Sequence, residues 1–182
     1  PRHAIRPPSA NATCPLLYLG EYCDYLNGMP YFCYLPSLLF GIAVSAHDVR
    51  TRRIPRAWIA CGVLCQLVAF TVAAAYAGRW EALAGALTGM VAGAGIQLAL
   101  ALIRPGAVGL GDVTLCALVG CAVGGHSPTA FVLWWMCMAA IGAGWFLAWQ
   151  ALRHMQMTGA HGKAPFSPVI VAAGVATIAF LG

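Results

Sequence analysis

The sequence contains very little charge. It carries 5 acidic and 10 basic residues in 182, so charged side chains make up 8% of the chain and hydrophobic residues 61%. A soluble domain has about 25% charged residues, and this chain could not cover the surface of a soluble enzyme. Its net charge of +5 is spread thinly, and we expect no nucleic-acid partner. The composition predicts an integral membrane protein whose surroundings are the lipid bilayer.

The sequence also lacks two common metal-binding patterns. Its eight cysteines form no C-x-x-C pair, and its five histidines form no H-E-x-x-H pattern. Those spacings are typical of zinc ribbons and zinc metalloproteases. We therefore expect neither a metal nor a cofactor. Solvated loop histidines are the default interpretation, but His47 directly precedes Asp48 and is a candidate for tuning that carboxyl group.

Long apolar runs predict an all-α, polytopic membrane fold with about six transmembrane helices. A spanning helix needs about 20 mainly apolar residues, and six segments qualify, some of them marginally. They cover residues 30–48, 57–78, 82–103, 106–123, 129–152 and 165–181. In the third segment Gly85, Gly89 and Gly93 recur every four residues, which predicts a face of close helix packing. Residues 30–182 would form one membrane domain.

Residues 1–29 do not fit this plan. They are polar, and they show no signal peptide with its charged, apolar and cleavage regions in order. The first methionine is Met29, directly before the first apolar segment. Two interpretations stay open: translation starts at Met29 and the preceding residues are not native, or they form a short extracytoplasmic tail.

The basic residues predict how the helices are oriented. Seven of them fall in the first, third and fifth loops, namely Arg50, Arg52, Arg53, Arg56, Arg104, Arg153 and Lys163. The opposite side has Arg79, together with Arg2 and Arg6 if the tail is counted. By the positive-inside rule the three basic loops face the cytoplasm, and both termini then lie on the other side.

Two of the five acids lie toward the cytoplasmic ends of apolar segments. Glu21 and Asp24 belong to the tail and Glu81 to an outer loop, which leaves Asp48 and Asp112. Asp48 closes the first segment, and Asp112 lies about six residues, or roughly 9 Å, into the fourth. Because carboxyl groups inside a membrane are costly, they indicate a functional site by default.

The two acids suggest a proteolytic mechanism. If the first and fourth segments pack together, the carboxyl groups can meet and share a proton. One then takes a proton from water while the other polarises the scissile carbonyl, as in aspartic proteases. Glycines before Asp112 permit an irregular helix start beside a water-accessible pocket. The alternative is that each acid pairs with a nearby arginine, such as Arg50 or Arg104, and is structural.

Three stretches carry a family resemblance. The first, at residues 48–55, is an aspartate followed by basic residues and Ile-Pro; the second, at 109–113, reads GLGDV; the third and weakest, at 164–168, reads APFSP. Besides the two acids, the matching residues are Ile54, Pro55, Gly109, Gly111, Pro165, Phe166 and Pro168. With the six spans, these stretches resemble the prepilin peptidase family of G-x-G-D membrane aspartic proteases.

The resemblance implies an endopeptidase that removes the leader from type IV prepilins or pseudopilins at the cytoplasmic face of the bacterial inner membrane. Asp48 and Asp112 would be its catalytic acids. Only eight residues separate Asp48 from Ala57, which resembles the short, protease-only branch of Tad/Flp pilus systems and gives no support for methyltransferase activity. Arg56 replaces the family's asparagine after Ile-Pro, and Thr114 replaces a lysine, so substrate choice or activity could differ.

Two other functions stay open. A catalytically silent assembly subunit of a pilus or secretion system would fit the changes at Arg56 and Thr114. A small proton-coupled carrier would use Asp48 and Asp112 as proton sites. Carriers often contain inverted repeats and broken helices near the midplane, whereas this sequence shows no clear repeat and both acids lie toward one face.

Overall fold

Helices make up nearly all of the chain that the structure describes. The computed structural model describes residues 31–103, 109–154 and 165–181. A 3-10 turn at Tyr31–Tyr34 precedes α1 (Leu35–Thr51), α2 (Arg56–Ala77), α3 (Trp80–Ile103), α4 (Leu110–His126), α5 (Pro128–His154) and α6 (Ser167–Leu181). These residues contain no strand, which confirms the all-α prediction. The predicted tail at residues 1–29 lies outside the described ranges.

Four of these helices are long and apolar enough to cross a membrane. They are α2, α3, α5, and α1 joined to the turn before it. The other two, α4 and α6, are also apolar but have only 17 and 15 residues. At 1.5 Å per residue they reach about 26 and 23 Å, against a hydrocarbon core of about 30 Å. The chain is a multi-pass membrane protein in which two of the six predicted segments form short helices.

Left-handed residues end α1 and α2. The first helix continues to Thr51, three residues beyond its predicted end, and stops where Arg52 adopts φ 54°. The Arg52 N–H then donates to the Asp48 carbonyl at 2.7 Å. The second helix stops at Gly78, with φ 68°, a conformation that glycine adopts without the strain a Cβ would bring.

A seam of glycines joins α3 to α4. A Cβ on Gly85 would lie 2.5 Å from the carbonyl oxygen of Gly124, and one on Gly89 would meet the carbonyl oxygen of Gly120 at an even shorter distance. Gly93 faces α4 in the same way. This confirms the close packing predicted from the four-residue spacing, and it identifies α4 as the partner helix. Small residues let two helix backbones approach closely, and this close packing stabilises helix association in lipid, where the hydrophobic effect does not drive it.

The short helix α4 lies at the centre of the bundle. Eleven of its residues are buried: Val113, Leu115, Cys116, Leu118, Val119, Gly120, Cys121, Ala122, Val123, Gly124 and Gly125. On another side of this core, the fully buried Trp134 of α5 donates its indole N–H to the Ile170 carbonyl of α6 at 3.2 Å. Because α4 is enclosed by protein along most of its length, its position is set by packing.

A buried glutamine fastens the start of α1 to α2. The Gln66 side-chain oxygen accepts hydrogen bonds from the Ser37 backbone N–H at 3.0 Å and the Ser37 hydroxyl at 2.7 Å. Its amide nitrogen donates to the Cys33 carbonyl at 2.6 Å. Such bonds replace partners that the membrane interior cannot offer. They fix α1 at the end of the bundle opposite to Asp48.

Candidate active site

Asp48 lies in the last turn of α1, with 8% of its surface exposed. Its Oδ2 accepts a hydrogen bond from the Ser167 hydroxyl at 2.6 Å. Ser167 is the first residue of α6 and is fully buried. The carboxyl group of α1 is therefore held at the start of a helix that lies 119 residues further along the chain.

Asp112 lies in the first turn of α4, with its side chain half-buried. Its Oδ2 accepts the backbone N–H of Gly109 at 3.3 Å, so the acid caps its own helix. The prediction that Asp112 lies about six residues into its segment is wrong, because the helix begins at Leu110 and Gly109 has extended backbone (φ −80°, ψ 145°). A carboxylate in this first turn also interacts favourably with the helix dipole.

The fold places the two acids on helices that contact each other. Asp48 lies in the last turn of α1, and Asp112 lies in the first turn of α4. Both are at the end of the bundle that carries the loop between α1 and α2. The first and fourth predicted segments therefore present their acids on the same side, as the proteolytic mechanism requires.

The first two sequence motifs also touch each other. A Cβ on Gly111 would lie 2.7 Å from the Cβ of Ile54 and 2.8 Å from its Cδ1. Distances of this size do not occur between real side-chain carbons without a shift of one partner. The glycine before Asp112 thus leaves room for the isoleucine that follows Asp48, and Pro55 holds the extended position from which α2 starts.

His47 does not bind the acid that follows it. Its Nδ1 lies 2.8 Å from the Arg53 carbonyl oxygen and 2.9 Å from the Thr51 hydroxyl, and its ring packs edge-on against Trp58 at 5.5 Å between centroids. These contacts hold the loop between α1 and α2. The ring contacts Thr51 at the end of α1, the loop that follows and Trp58 of α2, so the structure gives no support to a tuning role toward Asp48.

The third motif forms the entry to α6. The Trp145 indole N–H of α5 donates to the Pro165 carbonyl at 3.0 Å, and the Phe166 ring would meet a Cβ on Gly142 at 3.2 Å. Pro168 follows in the first helical turn, where a missing N–H costs little. The motif is thus anchored on α5 and places Ser167 against Asp48.

Neither acid pairs with an arginine in the described ranges. The hydrogen bonds of Asp48 and Asp112 are those from Ser167 and Gly109, and Arg50 is exposed. The structural alternative that paired each acid with an arginine therefore has no support in this part of the chain, whereas Arg104 lies outside it. The same residues contain no group of three or more histidines, cysteines or acids placed to hold a metal ion.

Comparison with known proteins identifies the family. Residues 35–147, more than half of the chain, match the model of the type IV leader peptidase family. The chain belongs to the type IV leader peptidase family. No curated protein and no solved structure matches it. The matched region of this leader peptidase includes both acids and the loop between α1 and α2, and it ends before the motif at residues 164–168.

Ser167 is the site residue that sequence reasoning missed. The leader peptidase motif matches at Pro165, Phe166 and Pro168 and leaves the serine between them as a variable position. A hydroxyl directly at the start of a helix, in a run otherwise made of prolines and an aromatic residue, is the signal that could have indicated it. Its partner could not be predicted, because the contact depends on how α6 packs against α1.

Proposed function

We propose that this membrane protease is an aspartic endopeptidase that removes the leader peptide from type IV prepilins or pseudopilins. Asp48 and Asp112 are its catalytic pair, and the reaction takes place at the cytoplasmic face of the bacterial inner membrane. The observation that supports the pair is that the two acids, on helices far apart in sequence, lie at the same end of the bundle, where Gly111 before Asp112 contacts Ile54 of the loop after Asp48.

The pair hydrolyses the peptide bond without a covalent intermediate. One carboxyl group is ionised and takes a proton from water, whose oxygen adds to the scissile carbonyl carbon. The other is protonated and gives its proton to the carbonyl oxygen. When the tetrahedral intermediate collapses, the carbon–nitrogen bond breaks and the leaving nitrogen takes the proton that the first carboxyl group accepted from water. A hydroxyl of the intermediate returns its proton to the second carboxylate, which restores the pair. Two close carboxyl groups suit this division of roles because they do not ionise together easily.

The surroundings of the pair fit a cut at the membrane surface. Arg50, Arg52, Arg53 and Arg56 are exposed at the same end of the bundle as the acids. Basic loops stay in the cytoplasm, which supports a pair that faces the cytoplasm. Asp48 is buried, whereas the side chain of Asp112 is half-buried and accessible to water.

The two departures from the family pattern leave the pair intact. The Thr114 hydroxyl donates to the Gly111 carbonyl at 2.8 Å, so the residue that replaces lysine is satisfied within its own helix. Arg56 is exposed at the start of α2. Neither side chain competes for the hydrogen bonds that Asp48 receives from Ser167 and Asp112 receives from Gly109. We expect both residues to influence substrate choice more than the chemistry.

Co-expression with a panel of prepilins and pseudopilins tests the function. Leader removal shows as a faster-migrating pilin on a gel, and the cut is located by mass spectrometry. We expect the wild type to process at least one substrate and Asp48→Asn and Asp112→Asn to process none. Glu81→Gln changes an exposed acid at the start of α3, away from the pair, and should behave as the wild type.

The same experiment separates the alternatives. A wild type that cuts no member of the panel would contradict the proposal and favour the silent assembly subunit. Cleavage that persists in both asparagine variants would exclude the aspartic mechanism. Proton-coupled transport in vesicles, lost in either variant while no pilin is cut, would indicate the carrier.

A further inference from the structure

We propose that Ser167 is a positioning residue for the catalytic pair, and that Pro165 and Phe166, which precede α6, hold its hydroxyl against Asp48. The proposal rests on the proposed function, because it gives the serine a role through the carboxyl group of Asp48. Its direct evidence is one short hydrogen bond, 2.6 Å from the Ser167 Oγ to the Asp48 Oδ2, between two buried residues.

Local geometry explains why a hydroxyl is needed here. The start of a helix normally offers free backbone N–H groups to a carboxylate. In α6 the second residue is Pro168, which has no N–H, and the next N–H, that of Val169, is already directed at the Phe166 carbonyl at 3.0 Å. The side chain of Ser167 therefore supplies a donor at a helix start where the two backbone positions after it offer no free N–H.

The entry to α6 is held from the opposite side. The Trp145 indole bonds to the Pro165 carbonyl at 3.0 Å, and the Phe166 ring packs over Gly142. Both anchors belong to α5, whereas Asp48 belongs to α1. Ser167 thus connects the carboxyl group of Asp48 to a chain segment that is anchored on α5, an arrangement that restricts the rotamer of a functional side chain.

The main test compares three variants in purified, membrane-reconstituted protein, using a prepilin that the wild type cuts. Ser167→Ala should lower kcat roughly ten- to a hundredfold, the range expected for loss of a hydrogen bond to a charged group, with KM within about twofold. Ser167→Thr keeps the hydroxyl and should recover much of kcat. The matched control is Ser45→Ala, in α1 one turn before Asp48, since within the described residues the Ser45 hydroxyl has no partner.

A second measurement does not depend on cleavage. The infrared band of the Asp48 carboxyl group, assigned by its loss in Asp48→Asn, should move in Ser167→Ala and stay in place in Ser45→Ala. An unmoved band, or a Ser167→Ala variant with wild-type kcat, would overturn the proposal. If the wild type cuts no prepilin, the proposed function fails, and the infrared band still decides whether Ser167 binds Asp48.

The anchor can be tested in the same assay. Trp145→Phe removes the N–H that holds Pro165 and should reduce kcat, but it should have little further effect in a Ser167→Ala background, because both changes act through one contact. Trp149→Phe is the control: this residue stacks on Trp145 one turn along α5, and its own N–H has no partner in the described ranges. If Trp145→Phe lowered kcat by the same factor in the wild type and in Ser167→Ala, the two residues would act independently, which would contradict the proposal.

Discussion

At the scale of single residues, the contact between Ile54 and Gly111 joins the two halves of the candidate active site. Ile54 follows Asp48 by six positions, and Gly111 directly precedes Asp112. Their closeness leaves no room for a side chain at position 111. This explains in physical terms why a glycine stands before the second acid, without any appeal to flexibility. We expect the separation of the two carboxyl groups to depend on this contact.

Gly111→Ala should therefore damage activity. The new methyl group would overlap Ile54, and overpacking of this kind costs roughly 1–3 kcal/mol. We expect the loop between α1 and α2 to move away from α4 to relieve the overlap, and the end of α1 with Asp48 to move with it. We expect leader removal to slow about tenfold or more, and Ile54→Ala to restore part of the rate.

The control for this change is Gly144→Ala in α5, where a Cβ would meet nothing within 4 Å. It should leave both the rate of leader removal and the thermal stability near wild type. A Gly111→Ala variant that cuts as fast as Gly144→Ala would show that the contact does not set the distance between the acids.

At the scale of the helices, the α3–α4 seam positions Asp112. Because α4 is short and begins beside the acid, any displacement along the seam moves Asp112 relative to Asp48. We expect Gly89→Ala to lower the thermal unfolding midpoint measured by circular dichroism, since its methyl group would run into the Gly120 carbonyl and the Gly124 backbone.

Gly95→Ala is the matched change in the same helix. A Cβ there meets nothing within 4 Å, and replacing glycine inside a helix contributes up to about 1 kcal/mol. This variant should be as stable as the wild type or slightly more so. Equal midpoints for the Gly89 and Gly95 variants would contradict the role of the seam.

The sequence allowed the helices and the two acids to be predicted because both depend on local features. Long apolar runs locate the helices, and in a chain with 5 acids a carboxyl group inside such a run is conspicuous. The start of α4 was not predictable from hydropathy, because residues 106–110 are apolar whether or not they are helical. The sequence predicts an end of α1 three residues too early, because arginines such as Arg50 are typical of the end of a membrane segment, although an exposed arginine is compatible with a helix.

The contact between Ser167 and Asp48, by contrast, does not depend on local features and could not be predicted from the sequence. It joins residues 119 positions apart, and a serine at a helix start reads first as a local cap. Nothing in the periodicity of either segment says that α6 delivers this hydroxyl to α1. Packing of α5 against α6, through residues such as Trp134 and Phe166, decides it.

At the scale of the whole molecule, the bundle has two different ends. Asp48, Asp112 and the exposed arginines of the loop between α1 and α2 share one end. The other end holds Tyr34 and His126, whose side chains are hydrogen-bonded at 3.1 Å. This polarity leads to the expectation that the acids face the cytoplasm.

Reporter fusions test the orientation. A green fluorescent protein fused after Arg53 should fluoresce, and one fused after Gly78 should not, because the reporter folds in the cytoplasm. Alkaline phosphatase at the same two positions should give the reverse pattern, since it becomes active outside. Phosphatase activity after Arg53 would place the acids at the opposite face and contradict the proposed site of cleavage.

The central claim is that Asp48 and Asp112 act as one unit. Its most direct test is the rate of leader removal by purified Asp48→Asn, Asp112→Asn and the double variant, compared with the wild type. Groups that act as a unit give non-additive losses, so we predict that each single variant is as inactive as the double one. Substantial activity in either single variant, or a double variant far slower than both, would contradict the account.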